Sequence, residues 1–333
     1  MYKKGAGKKS ISRSYQNVNS SVNEAEWNYK DKKINWGKIE DYELGKKLGE
    51  GTFSEAFKGM HKKTETNVTV RRLVKNRAEK IKREVSVLKR IKGSKNNAHI
   101  FDVVKGGVAN EKYIIMHYYA NDGLIKRNTE VSEFDMKCYI LQLLNGLDEA
   151  HSRGVMHRDI KPSNIVINNK RKRLKIIDWG MAEFYHPYKE YHLRVSSHYY
   201  KAPELLLGMK QYDYSLDMWS FACLFAGVVC NDFPFMKGKK EVDLLRNMSG
   251  LFGEGEFWDY IEKYNINDVD KVSLEAIATP REDSKLALAQ AESVFKSELA
   301  LDLLAKVLKV DHQERLTARE AMEHPYFDEV RDI

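Results

Sequence analysis

The chain has 333 residues, 42% of them hydrophobic, and its formal net charge is +8. This length suits one two-lobed domain or two ordinary domains, and the hydrophobic fraction excludes a disordered chain. The sequence contains no run of about 18 apolar residues, so we expect no membrane span. Its basic N-terminus lacks the apolar segment of a secretory signal.

The positive charge favours acidic partners, which could be nucleic acids or acidic protein segments. The sequence lacks zinc-ligand spacing and RNP-like strands, so we expect no nucleic-acid module. The three cysteines, Cys138, Cys223 and Cys230, lie in apolar helical patterns without metal-binding spacing. This usage is typical of free thiols in a reducing compartment. We therefore expect an intracellular protein of the nucleus, the cytoplasm or both.

Residues 1–40 are polar, with interspersed aromatic residues that include Trp27 and Tyr29. This pattern predicts either an extended arm whose aromatic side chains dock on the rest of the chain or a loose tail. A strand is expected from Asp41, followed by a glycine-rich segment at residues 48–56. Glycines in such a segment let the backbone approach phosphates closely, although glycine pairs also form plain turns. Ser54 stands at the third glycine position of the G-x-G-x-x-G pattern.

Further elements follow in chain order. Residues 67–72 predict a strand and residues 75–92 a basic helix, whose cations either form a solvated face or bind acidic segments. Residues 113–119 predict an apolar strand. Residues 132–153 show helical spacing of apolar residues, and Gly154 ends that helix.

The segment from His157 to Gly180 places two carboxylates and a carboxamide on loops beside a predicted hairpin, with strands at 165–167 and 174–177 and a turn at 168–170. Phosphoryl transfer needs this set of groups. Asp159 would accept the proton of a substrate hydroxyl, Asn164 and Asp178 would hold Mg²⁺ against nucleotide phosphates, and Lys161 would steady the transferred group. A single Asp on a loop can be a cap or turn residue, but the ordered set favours catalysis.

Several longer stretches carry a resemblance. They are the Asp-Trp-Gly at 178–180 and the segments 182–187, 212–220 and 311–327. With these, the sequence resembles eukaryotic protein kinases from about Tyr15 to Phe327, and more narrowly the catalytic (alpha) subunits of casein kinase II.

The resemblance implies an α+β, two-lobed kinase fold, with a small antiparallel-sheet N-lobe carrying one main helix and a larger, mostly helical C-lobe. It divides the chain into an arm at 1–40 that docks on the activation segment, an N-lobe at 41–119 and a C-lobe at 120–333. The kinase domain would span about 42–327, with an extra helical insert at 236–280.

The resemblance also implies ATP and Mg²⁺ as cofactors. Arg71 stands where kinases carry the phosphate-pairing lysine, and Glu84 would be its helix partner. Met116 would gate the base pocket, and the hinge backbone up to Tyr119 would bind the adenine edge. The residues expected to bind the nucleotide are Leu48, Gly49, Glu50, Gly51, Thr52, Phe53, Ser54, Glu55, Ala56, Arg71, Glu84, Met116, Tyr119 and Asp178.

The activation segment would run from Asp178 to the Ala-Pro-Glu at 202–204. Its cations Arg194, His198 and Lys201 either read an acidic residue after the target Ser or Thr or are simple surface cations. By resemblance, Glu204 and Arg315 would form a buried ion pair, and Asp217 would accept backbone donors of the loop at His157.

The resulting expectation is a serine/threonine protein kinase of casein kinase II alpha type that acts on acidic protein substrates. Two alternatives stay open. Arg71 raises the alternative of a pseudokinase or scaffold, and small-molecule phosphotransferases share the logic of Asp159 and Asn164, although they lack an Ala-Pro-Glu segment.

A partner also follows from the resemblance, namely a regulatory beta subunit that docks on the small-lobe sheet. The apolar positions expected there are Leu44, Phe57, Val70, Val104 and Ile115. Arg72 would place a charge in that contact, so we expect weaker or altered docking.

Overall fold

The computed structural model describes residues 10–51, 54–74, 77–107, 110–123, 131–280 and 295–331. The small lobe contains a six-stranded sheet in the order β1-β5-β6-β4-β3-β2. Neighbouring strands are antiparallel except β1 and β5, which form a short parallel pair. Its strands are β1 Gly37–Lys38, β2 Tyr42–Gly51, β3 Ser54–His61, β4 Thr66–Leu73, β5 Ile100–Gly106 and β6 Glu111–His117.

The large lobe is mostly helical, with two small two-stranded sheets. Its strands are β7 Val155–Met156, β8 Ile165–Asn168, β9 Arg173–Ile176 and β10 Glu183–Phe184. The described helices of the whole chain are α1 Glu24–Trp27, α2 Ala78–Arg90, α3 Glu133–His151, α4 Pro203–Leu206, α5 Ser215–Cys230, α6 Glu241–Phe252, α7 Glu254–Tyr264, α8 Lys271–Ile277, α9 Glu298–Val307 and α10 Ala318–Met322. The expected α+β, two-lobed architecture is confirmed, with the parallel β1–β5 pair as an addition.

The main small-lobe helix, α2, follows its sequence pattern. Ile81, Val85 and Leu88 recur at helical spacing and are buried in the main core. The cations of the same segment lie on the remaining faces. Lys89 and Arg90 occupy the last turn, where their positive charges interact favourably with the negative end of the helix dipole. The helix therefore buries one apolar face. Of its cations, Lys80 and Lys89 are exposed, whereas Arg83 and Arg90 are mostly buried and lie beside Glu183 and Glu26.

The outer face of the small-lobe sheet has a core of its own. Alternation along β4 turns Val68 and Val70 to this face, where they pack with Val104 and Ile115 beneath Tyr42. These five residues are buried within the chain itself. Arg71 lies between Val70 and Arg72 along β4. Its side chain therefore points to the opposite face of the sheet, towards α2.

Helix α5 forms the centre of the large lobe, because nearly every one of its residues is buried. It carries Cys223 and Cys230, and these thiols and that of Cys138 are free, as the sequence predicts. Ser132 caps the N-terminus of helix α3, since its hydroxyl accepts from Asp135 N at 3.1 Å. After it, Gly154 adopts φ +74°, and a Cβ there would come within 2.3 Å of the Asn19 amide, so glycine is required.

The loop after α2 ties the two lobes together. The Glu149 carboxylate on α3 accepts from the backbone N–H groups of Lys95 at 2.9 Å and Asn96 at 3.3 Å. The Asn97 side chain donates to the Gly146 carbonyl at 2.9 Å. This loop fixes the end of α2 against the large lobe. No helix in the described ranges is long and apolar enough to cross a bilayer.

The expected ion pair between Glu204 and Arg315 is confirmed. Two guanidinium nitrogens of Arg315 each lie 2.8 Å from a Glu204 oxygen, and both side chains are fully buried. Burial alone would raise the pKa of Glu204, but the charge and hydrogen bonds of Arg315 lower it below its usual value. The pair anchors the Ala-Pro-Glu end of the activation segment to the large lobe.

Arg315→Met should destabilise the protein by about 3–5 kcal/mol, because it leaves the Glu204 carboxylate buried without its partner. Chemical denaturation followed by circular dichroism measures this loss. Lys271→Met is the comparison, since it removes a cation from a pair whose lysine is 89% exposed. Equal stability of the two variants would contradict the anchoring role of Arg315.

Candidate active site

The loop that begins at His157 is positioned by one buried carboxylate on α5. Asp217 accepts from His157 N at 2.8 Å and from Arg158 N at 2.7 Å. His151 Nε2 lies 2.9 Å from the same carboxylate. Burial alone would raise the pKa of Asp217, but the bond from His151 and the neighbouring donors lower it. The sequence expectation for Asp217 is therefore confirmed.

Asp159 lies at the centre of the three predicted catalytic side chains. Its Oδ2 is 2.9 Å from Lys161 Nζ and accepts from Asn164 Nδ2 at 3.1 Å. Asn164 Nδ2 also donates to the Asp159 carbonyl at 2.9 Å, so the amide nitrogen is turned towards Asp159. The structure thus brings Asp159, Lys161 and Asn164 together in one hydrogen-bonded group.

Ser197 joins this group, although the sequence reasoning did not include it. Its hydroxyl donates to Asp159 Oδ1 at 2.7 Å and accepts from Lys161 Nζ at 2.7 Å. The available signal was a hydroxyl in the activation segment shortly before the Ala-Pro-Glu. The contact itself joins residues 38 positions apart, and no local pattern encodes such a contact.

Arg71 connects two carboxylates at the junction of the lobes. One terminal nitrogen donates to Glu84 on α2, and the other donates to Asp178 Oδ1 at 2.8 Å. Arg71 and Glu84 are buried, whereas about half of the Asp178 side chain is exposed. Burial alone would raise the pKa of Asp178, but the charge of Arg71, with help from His157, lowers it. Asp178 is therefore a carboxylate at neutral pH.

The backbone at Asp178 is also unusual. Its φ is +57°, in the left-handed region that residues other than glycine rarely adopt, and Gly180 N lies 3.4 Å from Oδ1. Such conformations persist only where the surroundings enforce them, and they concentrate at functional sites. Here the bond from Arg71 and the contact with Gly180 hold the carboxylate.

The residues present fit a nucleotide with its metal. The Nε atom of Arg71 is buried and has no hydrogen-bond partner among the described residues. A buried donor of this kind calls for an acceptor such as a phosphate oxygen. The described residues hold no group of three or more His, Cys, Asp or Glu side chains able to bind a metal on their own. Asn164 and Asp178 offer oxygen atoms, the ligands that Mg²⁺ prefers, and would hold it together with phosphate oxygens.

The glycine-rich hairpin is described only in part, since Thr52 and Phe53 lie outside the described residues. Gly49 pairs with Ala56, and Gly51 pairs with Ser54 across β2 and β3. Leu48 is among the exposed apolar residues of the small lobe.

The two glutamates of the hairpin have partners within the chain. Lys47 Nζ donates to Glu50 at 2.6 Å and to Glu55 at 2.8 Å, and Arg72 also donates to Glu55. Contacts between this hairpin and a nucleotide would therefore fall to its backbone rather than to these carboxylates.

The hinge residues are packed by their side chains. Met116 is buried in the main core. The Tyr119 hydroxyl accepts from His99 N at 3.1 Å, and Lys175 Nζ lies 5.4 Å from the centre of the Tyr119 ring. Since the Tyr119 side chain is engaged in this way, binding of a base at the hinge would fall to the backbone.

The predicted substrate cations differ in their surroundings. Arg194 is exposed. His198 Nε2 lies 2.9 Å from the Gly238 carbonyl oxygen, and Lys201 Nζ donates to Glu241 at 2.5 Å. Two of the three cations are thus held by the segment that leads into α6.

The N-terminal arm contacts the beginning of the activation segment. The Trp27 ring meets the His186 ring edge-on, with 4.4 Å between centroids. The Tyr29 ring stacks on Phe184, and its hydroxyl donates to Glu183 at 3.3 Å. Further back in the arm, Ser12, Arg13, Tyr15 and Asn19 bind the large lobe. The arm therefore spans from the large lobe to the segment that follows Asp178.

A family model described as protein kinase domain matches residues 42–327. The match begins at the first residue of β2 and ends at Phe327, the last residue of a short 3₁₀ helix. It covers both lobes and the site residues described above, apart from those of the N-terminal arm. The chain belongs to the protein kinase domain family.

Proposed function

We propose that this protein is an active serine/threonine protein kinase of casein kinase II alpha type. It transfers the γ-phosphoryl group of ATP to Ser or Thr residues near acidic residues of protein substrates. The observation that carries the proposal is the 2.7 Å hydrogen bond from the Ser197 hydroxyl to Asp159 Oδ1. Asp159 already accepts an aliphatic hydroxyl, which is the group that a Ser or Thr substrate offers.

Bound ATP with Mg²⁺ supplies the phosphoryl group. The chain's own part is to position Asp159, which would take the proton of the substrate hydroxyl as its oxygen bonds to the γ-phosphorus and the bond from that phosphorus to ADP breaks. Asn164 keeps the carboxylate oriented through its 3.1 Å bond to Oδ2. Lys161 Nζ, 2.9 Å from the same oxygen, places a positive charge beside the reacting groups.

Arg71 supports an active enzyme because the separate nitrogens of its planar guanidinium can each bind a different partner. The two terminal nitrogens hold Glu84 and Asp178 at the same time, and Nε stays buried without a described partner. A lysine has a single nitrogen and could not reach two carboxylates and a phosphate with the same geometry. The pseudokinase alternative rests on the opposite effect, in which Arg71 competes with the metal for Asp178.

Asp159→Asn should lower the rate of phosphate transfer by about 10²–10⁴-fold, because the carboxamide cannot accept the proton. The measurement is transfer of labelled phosphate from ATP to an acidic Ser peptide. Asp268→Asn, the same change at an exposed position, is the matched control and should leave the rate unchanged. An Asp159→Asn variant as active as the unaltered chain would rule out the enzyme proposal.

Arg71→Lys should weaken the binding of ATP with Mg²⁺ by about tenfold or more, since one charge-assisted contact within the Glu84–Asp178 group is lost. Isothermal titration calorimetry measures the affinity, and labelled ATP measures transfer. If Arg71→Lys instead raises transfer strongly, Arg71 is an impairment, and the pseudokinase alternative gains support.

A regulatory beta subunit is the partner proposed by resemblance, and the outer sheet face limits what it can contact. Val70, Val104 and Ile115 are fully buried in this chain, whereas Leu44 is 43% exposed. Arg72 lies on this face and binds both Glu55 and Glu111. These charges would have to be desolvated in an apolar interface, which costs free energy. We therefore propose that docking is weak.

Arg72→Ile should increase capture of a casein kinase II beta subunit in co-purification, because it removes the guanidinium from the outer face. Arg173→Ile, at an exposed position of the large lobe, controls for a general increase in non-specific hydrophobic binding. Equal capture by both variants and the unaltered chain would show that Arg72 does not limit docking.

A further inference from the structure

Two of the cations proposed to bind substrate lie next to the catalytic group. His198 is the first residue of the turn His198–Tyr200, Lys201 follows the turn, and the backbone N–H of Lys201 donates to the His198 carbonyl at 3.4 Å. This turn starts directly after Ser197, whose hydroxyl contacts Asp159. An acidic residue that follows a target Ser in the substrate would therefore come close to these cations.

Each of these cations already has a partner from one short segment of the large lobe. The Gly238 carbonyl lies 2.9 Å from His198 Nε2, and the Glu241 carboxylate accepts from Lys201 Nζ at 2.5 Å. The Lys201 side chain is only 15% exposed, whereas that of Glu241 is 55% exposed. Most of the Lys201 side chain is therefore covered, while its ion pair with Glu241 lies at the surface, where a substrate carboxylate can reach it.

The segment that carries Glu241 is fixed by its own hydrogen bonds. Asp243 accepts from Lys239 N at 3.0 Å and from Lys240 N at 2.9 Å. Gly238 adopts φ +156°, and a Cβ there would lie 2.9 Å from the Cβ of Asp243. Glu241 is the first residue of α6, where the helix dipole favours a negative charge. The carboxylate is therefore presented to Lys201 by an ordered turn.

We propose that Glu241 is an internal competitor for the acidic group of the substrate, and that it sets how strongly the enzyme prefers an acid after the target residue. A substrate carboxylate reaches Lys201 by displacing Glu241. The binding free energy gained from the substrate acid is therefore reduced by the free energy of the Lys201–Glu241 ion pair that is lost. The inference rests on the proposed role of Lys201 in substrate binding. It makes Glu241 a determinant of specificity rather than a catalytic residue.

The test compares two fluorescent peptides that differ only in the residue after Ser, which is Glu in one and Ala in the other. Fluorescence anisotropy with the full chain gives both dissociation constants, and their ratio is the acid preference. Glu241→Gln should raise this preference about three- to fivefold, the size expected for one partly exposed charge pair. Glu254→Gln is the matched control, because Glu254 is the exposed first residue of α7, and it should leave the ratio unchanged.

A second comparison separates competition at Lys201 from a general effect of charge. Adding Glu241→Gln to Lys201→Met should not change the acid preference, since the contested cation is gone. An unchanged ratio in Glu241→Gln alone, or the same rise without Lys201, would overturn the proposal.

Phosphate transfer to both peptides is measured in parallel. If the unaltered chain binds the peptides but transfers no phosphate, the proposed kinase function fails while the binding ratio still decides the role of Glu241. If neither peptide binds, the role of Glu241 falls, and the transfer measurement alone decides the kinase proposal.

Discussion

The contact on which the site depends is the one that Arg71 makes with two carboxylates from different parts of the chain. Glu84 comes from the small-lobe helix α2 and Asp178 from the large lobe. Both contact one guanidinium, that of Arg71 on strand β4 of the small-lobe sheet. Removing such charges from water costs several kcal/mol for each ion, so the arrangement is stable only when the charges meet with good geometry. The position of α2 and the position of Asp178 are therefore coupled through a single side chain.

Buried carboxylates in the large lobe act in the same way. Asp217 gathers the backbone of His157 and Arg158 around the start of α5. Glu204 and Arg315 fix the far end of the activation segment. Each carboxylate is satisfied by donors distant in sequence, so each one joins elements that local propensity would leave independent. The loop that carries Asp159 thus lies between fixed points, which is the preorganisation that phosphoryl transfer requires.

Many cations of this basic chain are also held by its own acids. Arg71 binds Asp178, Lys201 binds Glu241, and Arg72 binds Glu55 and Glu111. A metal, an acidic substrate or a protein partner at these places would have to exchange with an internal pair. The count of 56 lysine and arginine residues therefore overstates the number of cations that a ligand can meet, whereas the net charge of +8 already subtracts the 48 acidic residues.

The sequence by itself predicted the two-lobed fold through motifs that resemble those of protein kinases, and it predicted the helix at 132–153 from the spacing of its apolar residues. It also singled out Asp159, Asn164 and Asp178 as the candidate catalytic set, because these side chains follow one another within one short segment. Tertiary structure alone decided which groups meet. Ser197 on Asp159, Glu241 on Lys201 and the burial of Val70 beneath its neighbours arise from contacts between residues far apart in the chain. Periodicity and spacing describe neighbours along the backbone, whereas ion pairs and burial depend on where the folded chain returns, and the sequence pattern contains no measure of that distance.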